Sequence, residues 1–204
     1  MGASSVAPAW LGPIEVGAPD TVAAWRALGN SFAGVDDLRR VLHERVTDGG
    51  AARILAEQEV LATALADALA AVPETALSLP GGEEDWNVAQ TFAHATAARR
   101  FLPTWGAMAP AGTWPADDPP TVRPSIPGDP AASRAELLIL LDKSRRSQER
   151  AAEQLTGHET QPCPLDHPLV GRLRCGDWLL FAGVHDLMHL EQLHRIADEQ
   201  LSGS

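Results

Sequence analysis

Four long segments with helical periodicity and very few helix-breaking residues most strongly constrain how this chain can fold. They are predicted at 51–72, 87–102, 133–155 and 177–200, each bounded by Pro, Gly or a capping residue. No segment shows the alternation of apolar and polar residues that a β-strand of useful length requires. The sequence therefore predicts an all-α protein built on a four-helix bundle.

The ends of these segments carry local signals of their own. Asn87 and Ser133 each have a capping-box partner three residues later, which predicts a helix start at both positions. Pro103 is predicted to end the second helix, and Asp177 is predicted to cap the fourth. The proline-rich passage 103–132 is long enough to cross the bundle, which would let helices two and three run parallel.

The chain before the first long segment is predicted to form an N-terminal extension. Residues 1–19 are rich in Gly, Ala and Pro and are expected to be irregular. Two short amphipathic stretches follow at 21–28 and 35–46. We therefore divide the chain into an extension with short helices, 1–50, and a four-helix bundle, 51–204.

The formal net charge of -11 argues against polyanionic partners, because such a chain repels phosphate backbones and anionic lipids. Nucleic acid and membrane surfaces are not expected to bind it. No apolar run approaches the roughly 18–20 residues that span a bilayer, and the first twenty residues lack a secretory pattern. We expect a cytoplasmic protein. Lys143 is the only lysine, and this bias toward arginine is typical of a GC-rich genome.

His185 and His189 occupy positions i and i+4 of the fourth predicted helix. Their imidazoles point the same way and can coordinate one metal ion. The spacing alone also fits two core histidines satisfied by hydrogen bonds, or a partly exposed pair. A shared ion would remove the cost of burying two unpaired imidazoles, which favours the metal interpretation.

A third ligand must come from elsewhere in the chain. His94 lies in the middle of the second predicted helix among small and apolar neighbours. It is either structural or a ligand that meets the histidine pair across the bundle. His194 lies about 140° around the helix from His189, so it is expected to be a solvated surface residue. His43 and His158 lie among polar residues and are expected to be exposed.

Two motifs resemble those of the DinB-like superfamily. The run Trp-Asn-Val-Ala-Gln at 86–90, followed by His94, resembles the opening of a histidine-bearing helix in that superfamily. The second motif resembles the closing signature of its bacillithiol and mycothiol transferase branch. It consists of Asp-His-Pro-Leu-Val-Gly at 166–171, Trp178-Leu179, and His185-x3-His189-Leu190-x-Gln192.

The resemblance covers 51–200, about three quarters of the chain. It implies a four-helix bundle in which His94, His185 and His189 point inward and bind a divalent metal ion. Zinc is the expected ion, and nickel is the second candidate.

The resemblance also implies an activity, because members couple bacillithiol, mycothiol or glutathione to electrophiles. Three neutral imidazoles leave an open coordination position, which is typical of catalytic metal sites. We therefore expect a thiol S-transferase in which a low-molecular-weight thiol attacks a small electrophilic substrate as a metal-bound thiolate. The GC-rich composition favours mycothiol. Homodimerisation is left open.

Three alternatives remain at this point. The first is a non-catalytic metal-binding stress protein of the same superfamily. The second is a mycothiol-dependent isomerase or a specialised biosynthetic enzyme. The third is a metallohydrolase, since His185-Asp186-x-x-His189 resembles the H-E-x-x-H motif with Asp186 as the general base. Asp186 is one methylene shorter than the usual glutamate, and no third ligand follows at a suitable spacing.

Four further residues are candidates for supporting roles. Trp86 and Trp178 are expected to be core residues that bracket the site, with substrate contact as the alternative. Gln192 is expected to orient a metal ligand, although packing alone would also explain it. His167 is expected to order the loop before the fourth helix or to reach the mouth of the site.

Overall fold

The computed structural model describes residues 8–29, 33–80, 86–122 and 126–202. Its regular structure is almost entirely helical, so the predicted all-α class is confirmed. In chain order the elements are α1 (Leu11–Gly17), α2 (Pro19–Leu28), α3 (Val35–Arg45), α4 (Ala51–Ala71), a 3-10 turn (Glu74–Ala76), α5 (Val88–Met108), α6 (Arg134–Leu155), β1 (Pro162–His167), β2 (Gly171–Arg174) and α7 (Cys175–Ser202).

Helices α4 to α7 form a four-helix bundle in which α4 and α5 each pack on both α6 and α7. The starts of α5 and α6 meet, because the Asn87 amide donates to the Pro130 carbonyl at 2.8 Å. Further along both helices, Arg99 donates to Ser144 at 3.1 Å. Helices α5 and α6 therefore run parallel, as the long connection between them allows.

Both predicted capping boxes are present. The Asn87 side chain accepts the backbone N–H of Gln90 at 2.9 Å, and the Gln90 side chain accepts that of Asn87 at 3.2 Å. Ser133 and Glu136 make the same reciprocal arrangement at the start of α6. These bonds satisfy backbone donors that an uncapped helix would leave unpaired, so the starts of α5 and α6 follow from local sequence.

Helix α5 does not end before Pro103, and the prediction there was wrong. The helix continues through Pro103 to Met108. Gly106 allows α7 to pass so close that a Cβ at this position would overlap the Cys175 carbonyl. Leu102, Pro103 and Ala107 are buried in the same stretch. Apolar packing against α7 thus outweighs the backbone hydrogen bond that proline removes.

The sequence did not predict the antiparallel hairpin between α6 and α7. Asp166 pairs with Arg172 and His167 pairs with Gly171, after a register shift that begins at Pro162. The strands are short, and alternating burial is confined to Cys163 and Leu165 in β1. Gly171 has a φ of 78°, a left-handed conformation that favours glycine. So few alternating positions give no usable strand signal.

Helix α7 begins two residues earlier than predicted, directly after β2. Asp177 is therefore not the N-cap. Its carboxylate lies in the first turn, where it accepts the backbone N–H of Arg174 at 2.7 Å and the Arg174 guanidinium at 2.9 Å. A carboxylate at this end of a helix also interacts favourably with the helix dipole. The helix can therefore follow the strand without a loop.

The chain before α4 is more helical than the sequence predicted, because α1 lies within the stretch expected to be irregular. Leu11 and Ile14 of α1 are buried, and they join Val22 of α2 in the main apolar core of the bundle. Glu57 of α4 accepts the backbone N–H of Thr21 at 2.9 Å. The N-terminal helices thus pack on α4 and α7 through both apolar and polar contacts. Within the described residues, every helix is too short or too polar to cross a membrane.

Candidate metal centre

The histidines His94, His185 and His189 converge at the interface of α5 and α7. Each offers one ring nitrogen, and these nitrogens all lie within 4.8 Å of one another. Two imidazole nitrogens bound at about 2.0–2.1 Å to a tetrahedral zinc ion lie about 3.4 Å apart. The three rings can therefore close around a divalent metal ion through small movements of the side chains.

Hydrogen bonds orient two of the three rings. His94 Nδ1 lies 3.2 Å from the Ile126 carbonyl oxygen, which can only accept, so this nitrogen donates. His189 Nδ1 lies 3.0 Å from Gln192 Oε1 and donates in the same way. A neutral imidazole that donates from Nδ1 presents its lone pair on Nε2. Both rings are thereby fixed in the tautomer that leaves Nε2 available as a ligand.

The third ring has a buried polar atom that a metal ion would explain. His185 Nδ1 is buried, and no hydrogen-bond partner for it exists among the described residues. A buried polar atom without a partner costs about 1–3 kcal/mol. Coordination through this nitrogen would remove that cost. The donor set and the unsatisfied nitrogen both fit a divalent ion.

The surroundings keep His185 and His189 neutral. Burial lowers the pKa of His185 well below its usual value, and the neighbouring His189 and His94 lower it further. Burial also lowers the pKa of His189 to about 4, with His94 adding to the shift and Gln192 opposing it. Neutral imidazole is the form that binds metal. The lone pairs of His185 and His189 are therefore available at neutral pH.

Two features that flank α5 place His94. Trp86 lies immediately before the helix cap, and its ring centroid is 5.2 Å from that of His94. On the other side, Gly128 packs so closely on α5 that a Cβ there would overlap Ala93, which brings the Ile126 carbonyl to the His94 ring. Sequence reasoning missed Ile126 and Gly128. Their only signal was a glycine in a long proline-rich passage.

The hairpin covers the α7 face next to the cluster. His167 Nδ1 accepts the backbone N–H of Val170 at 3.1 Å, so it orders the turn between the strands. Its ring lies 5.0 Å from Phe181 and 5.8 Å from Trp178, and burial lowers its pKa to about 4. Trp178 is fully buried. The structure thus places both residues in the packing beside the cluster.

His194 does not join the cluster, but it is not a freely solvated residue either. Its ring stacks on Trp10 at a centroid distance of 5.1 Å and an interplanar angle of 8°. The N-terminal extension, whose path the sequence could not reveal, supplies this partner. His43 likewise has a partner, since its Nε2 lies 3.1 Å from Asp177.

Asp186 is engaged elsewhere and does not face the histidines as a free base. Its carboxylate forms a fully buried ion pair with Arg99 of α5. Burial raises the pKa of Asp186, while the Arg99 guanidinium opposes this shift. The hydrolase alternative required this carboxylate as its general base, so the ion pair counts against it. Nothing in the local sequence indicated Arg99 as the partner.

Comparisons with known proteins are consistent with this geometry. A model of the DinB superfamily matches residues 57–193, a segment that contains all three histidines and about two thirds of the chain. No curated protein matches the chain, and no solved structure matches it.

Proposed function

The chain belongs to the DinB superfamily, and on this premise we propose that it is a divalent-metal-dependent thiol S-transferase of the cytoplasm. The observation that carries the proposal is the convergence of His94, His185 and His189, whose ligand atoms lie within 4.8 Å of one another. The proposed substrates are a low-molecular-weight thiol and a small electrophile. Mycothiol is the proposed thiol, because the lysine-poor composition suits a GC-rich genome.

The donor set suits zinc first and nickel second, since both accept neutral imidazole. When bound, a divalent ion supplies a positive charge that lowers the pKa of a thiol beside it. The protein's own contribution is to hold the imidazoles in place. Ile126 and Gln192 fix the tautomers of His94 and His189, and Trp86 packs against His94.

Within the described residues, no carboxylate belongs to the three-histidine group, and Asp186 is bound to Arg99. This arrangement favours a thiol over water as the nucleophile. In the H-E-x-x-H arrangement of metalloproteases, a carboxylate general base activates the metal-bound water. A thiolate needs none once its proton has left to solvent. Its sulfur then forms a bond to the electrophilic carbon, and the leaving group departs with the bonding electron pair.

The test combines metal analysis with a thiol conjugation assay. Purified protein is expected to carry about one equivalent of zinc or nickel. It is then expected to accelerate conjugation of mycothiol to a bimane electrophile more than conjugation of glutathione or cysteine. A chelator should abolish the activity, and added metal should restore it.

The matched controls are His189→Ala and His194→Ala. Both remove an imidazole from α7, but only His189 belongs to the cluster. His189→Ala should lose metal and activity, whereas His194→Ala should keep both. If metal-loaded protein gives the uncatalysed rate with every thiol, the transferase proposal fails and a metal-binding role takes its place.

A further inference from the structure

A single arginine of α5, at the centre of the bundle, binds side chains or backbone of the other three helices. Arg99 of α5 is fully buried and donates to the Gln148 side chain of α6 at 2.7 Å. It also donates to Ser144 of α6 and to the Gln58 backbone carbonyl of α4, both at 3.1 Å. Its remaining partner is Asp186 of α7. We call these five residues the arginine network.

The arginine network lies directly beside the histidine cluster. Asp186 follows His185 in α7, and Arg99 is five residues after His94 in α5. One ion pair therefore joins the same two helices that supply the three histidines. About 100° of helix rotation separates adjacent residues. Any rotation of α7 that moved Asp186 away from Arg99 would also change the positions of His185 and His189 relative to His94.

Apolar packing around the cluster cannot provide the same directional control. The hydrophobic effect is not directional, and leucines of α7 pack against several partners in the main core. A guanidinium instead presents its donors in a fixed planar fork. Three groups from α4 and α6 already bind this fork. Only one position is then left at which the guanidinium can bind Asp186.

We infer that Arg99 and Asp186 are positioning residues that set the rotation of α7 against α5, and thereby the geometry of the three-histidine metal centre. The inference rests on the metal centre of the proposed function and adds a role for a pair that touches neither metal nor substrate. Burying an ion pair seldom adds stability compared with apolar residues of similar size. Control of the helix orientation therefore explains why this ion pair is buried, whereas a gain in stability does not.

The decisive variant removes both charges together, as Arg99→Met with Asp186→Leu. An apolar pair of similar volume keeps the fold, which far-UV circular dichroism and urea unfolding will check. The probe is Co²⁺ alone, read by its visible absorption spectrum and by titration against a chromophoric chelator. Relative to the unaltered protein, we expect Co²⁺ affinity to fall roughly tenfold, the lower end of the range for lost partners of a metal ligand, because the pair acts through the helices and bonds no histidine directly. We also expect the absorption bands to change shape.

Glu159→Gln is the matched control for a buried carboxylate. Glu159 is fully buried and accepts the backbone N–H of Ala51 at 3.0 Å. It holds the start of α4, away from the histidines. This variant is expected to lower stability but to leave the Co²⁺ spectrum unchanged.

The possible outcomes distinguish the positioning role of Arg99 and Asp186 from the existence of the metal centre. If the unaltered protein binds Co²⁺ and the double variant binds it with the same affinity and spectrum, the positioning role is overturned while the metal centre stands. If the unaltered protein binds no Co²⁺, both fail. Should the double variant not fold, Asp186→Asn is compared with Glu159→Gln. Equal affinity in those two variants would overturn the positioning role, and a selective loss in Asp186→Asn would support it.

Discussion

Two polar clusters lie next to each other between α5 and α7, and their chemistry is opposite. In the arginine network a buried cation meets a buried anion and three neutral acceptors, so its charges are compensated within the protein. In the histidine cluster three bases face one another, and the neighbouring rings lower the pKa of His185 further. The first cluster pairs its charges internally, although Asp186 Oδ1 and the Gln58 side-chain nitrogen lack a hydrogen-bond partner within the described residues. The second has lone pairs that a cation would satisfy.

This contrast separates charges that are paired within the protein from lone pairs that need a ligand. Buried charges are normally paired, so the Arg99–Asp186 pair needs no ligand to explain it. Three imidazole nitrogens that lie close together do need a cation to explain them. The comparison predicts that changes to the arginine network act mainly on folding when they leave a charge behind. Changes to the histidine cluster should act mainly on metal binding.

The largest effect is expected for Arg99→Met, which leaves the Asp186 carboxylate buried without its cation. Breaking a buried ion pair in this way costs about 3–5 kcal/mol of unfolding free energy, measured by urea denaturation of metal-free protein. Arg26→Met is the control, because the Arg26–Glu15 pair is about half exposed and should cost at most about 1 kcal/mol. A similar small loss in both variants would mean that the network is not electrostatically closed.

His185→Ala should give the opposite result. A structural zinc site with four protein ligands contributes roughly 10–16 kcal/mol, or about 3 kcal/mol per ligand. Loss of one of the three histidines should therefore lower metal affinity roughly a hundredfold. The metal-free variant should lose less unfolding free energy than Arg99→Met. The His185 ring packs on His94 and His189, but its Nδ1 has no hydrogen-bond partner to lose within the described residues. Competition with a chromophoric chelator measures the affinity. Unchanged metal binding would remove His185 from the ligand set.

The pH dependence of unfolding of the metal-free protein tests whether the histidine cluster is neutral in the folded state. Below about pH 6.5 the unfolded chain protonates its histidines, whereas burial holds the pKa of His189 at about 4 in the folded protein. Protons therefore favour the unfolded state, and the unfolding free energy should fall as pH decreases. From pH 7 to 5 the loss from His189 alone is about 2 kcal/mol.

Comparison with His189→Asn isolates this contribution, since burial also lowers the pKa of His167. Urea unfolding at each pH should show a shallower slope for the variant. Parallel curves for the two proteins would show that His189 is protonated alike in the folded and unfolded states.

The smallest effect is expected for Gln192→Leu. The substitution removes the acceptor for His189 Nδ1 and should weaken metal binding about tenfold, at the lower end of the roughly 10–100-fold range for such partners. Gln154→Leu, at an exposed position of α6, is the control and should change nothing. Equal metal affinities in Gln192→Leu and in the unaltered protein would show that Gln192 contributes packing alone.

Local sequence was enough for the starts of two helices and for the common face of one histidine pair. The starts of α5 and α6 follow from capping boxes at Asn87 and Ser133, whose partners are three residues away. The common face of His185 and His189 follows from helical spacing. His94 could be placed opposite them only through the resemblance to the DinB-like superfamily, because spacing within one helix says nothing about the helix facing it.

The features that the sequence did not reveal depend on distant segments. Helix α5 passes Pro103 because α7 packs on it near Gly106. Arg99 can be buried only where three other helices bring Asp186, Gln148 and the Gln58 carbonyl together. The Ile126 carbonyl reaches His94 through a long connection that has no regular pattern. Each of these is a tertiary effect that overrides or ignores local preference.

The close contact of α2 with α7 determines how this protein can be divided. At Gly183 of α7 an added Cβ would lie 2.7 Å from Thr21 Cγ2, so the helix that carries two of the three histidines is covered by the N-terminal chain. A fragment trimmed to the matched segment 57–193 would expose the apolar side chains that now face Val22 and Ile14. It would also lose Ile196 and Ala197 from the same core. Sequence similarity and the cooperative folding unit therefore have different boundaries in this chain, and fragments for study should begin before α1.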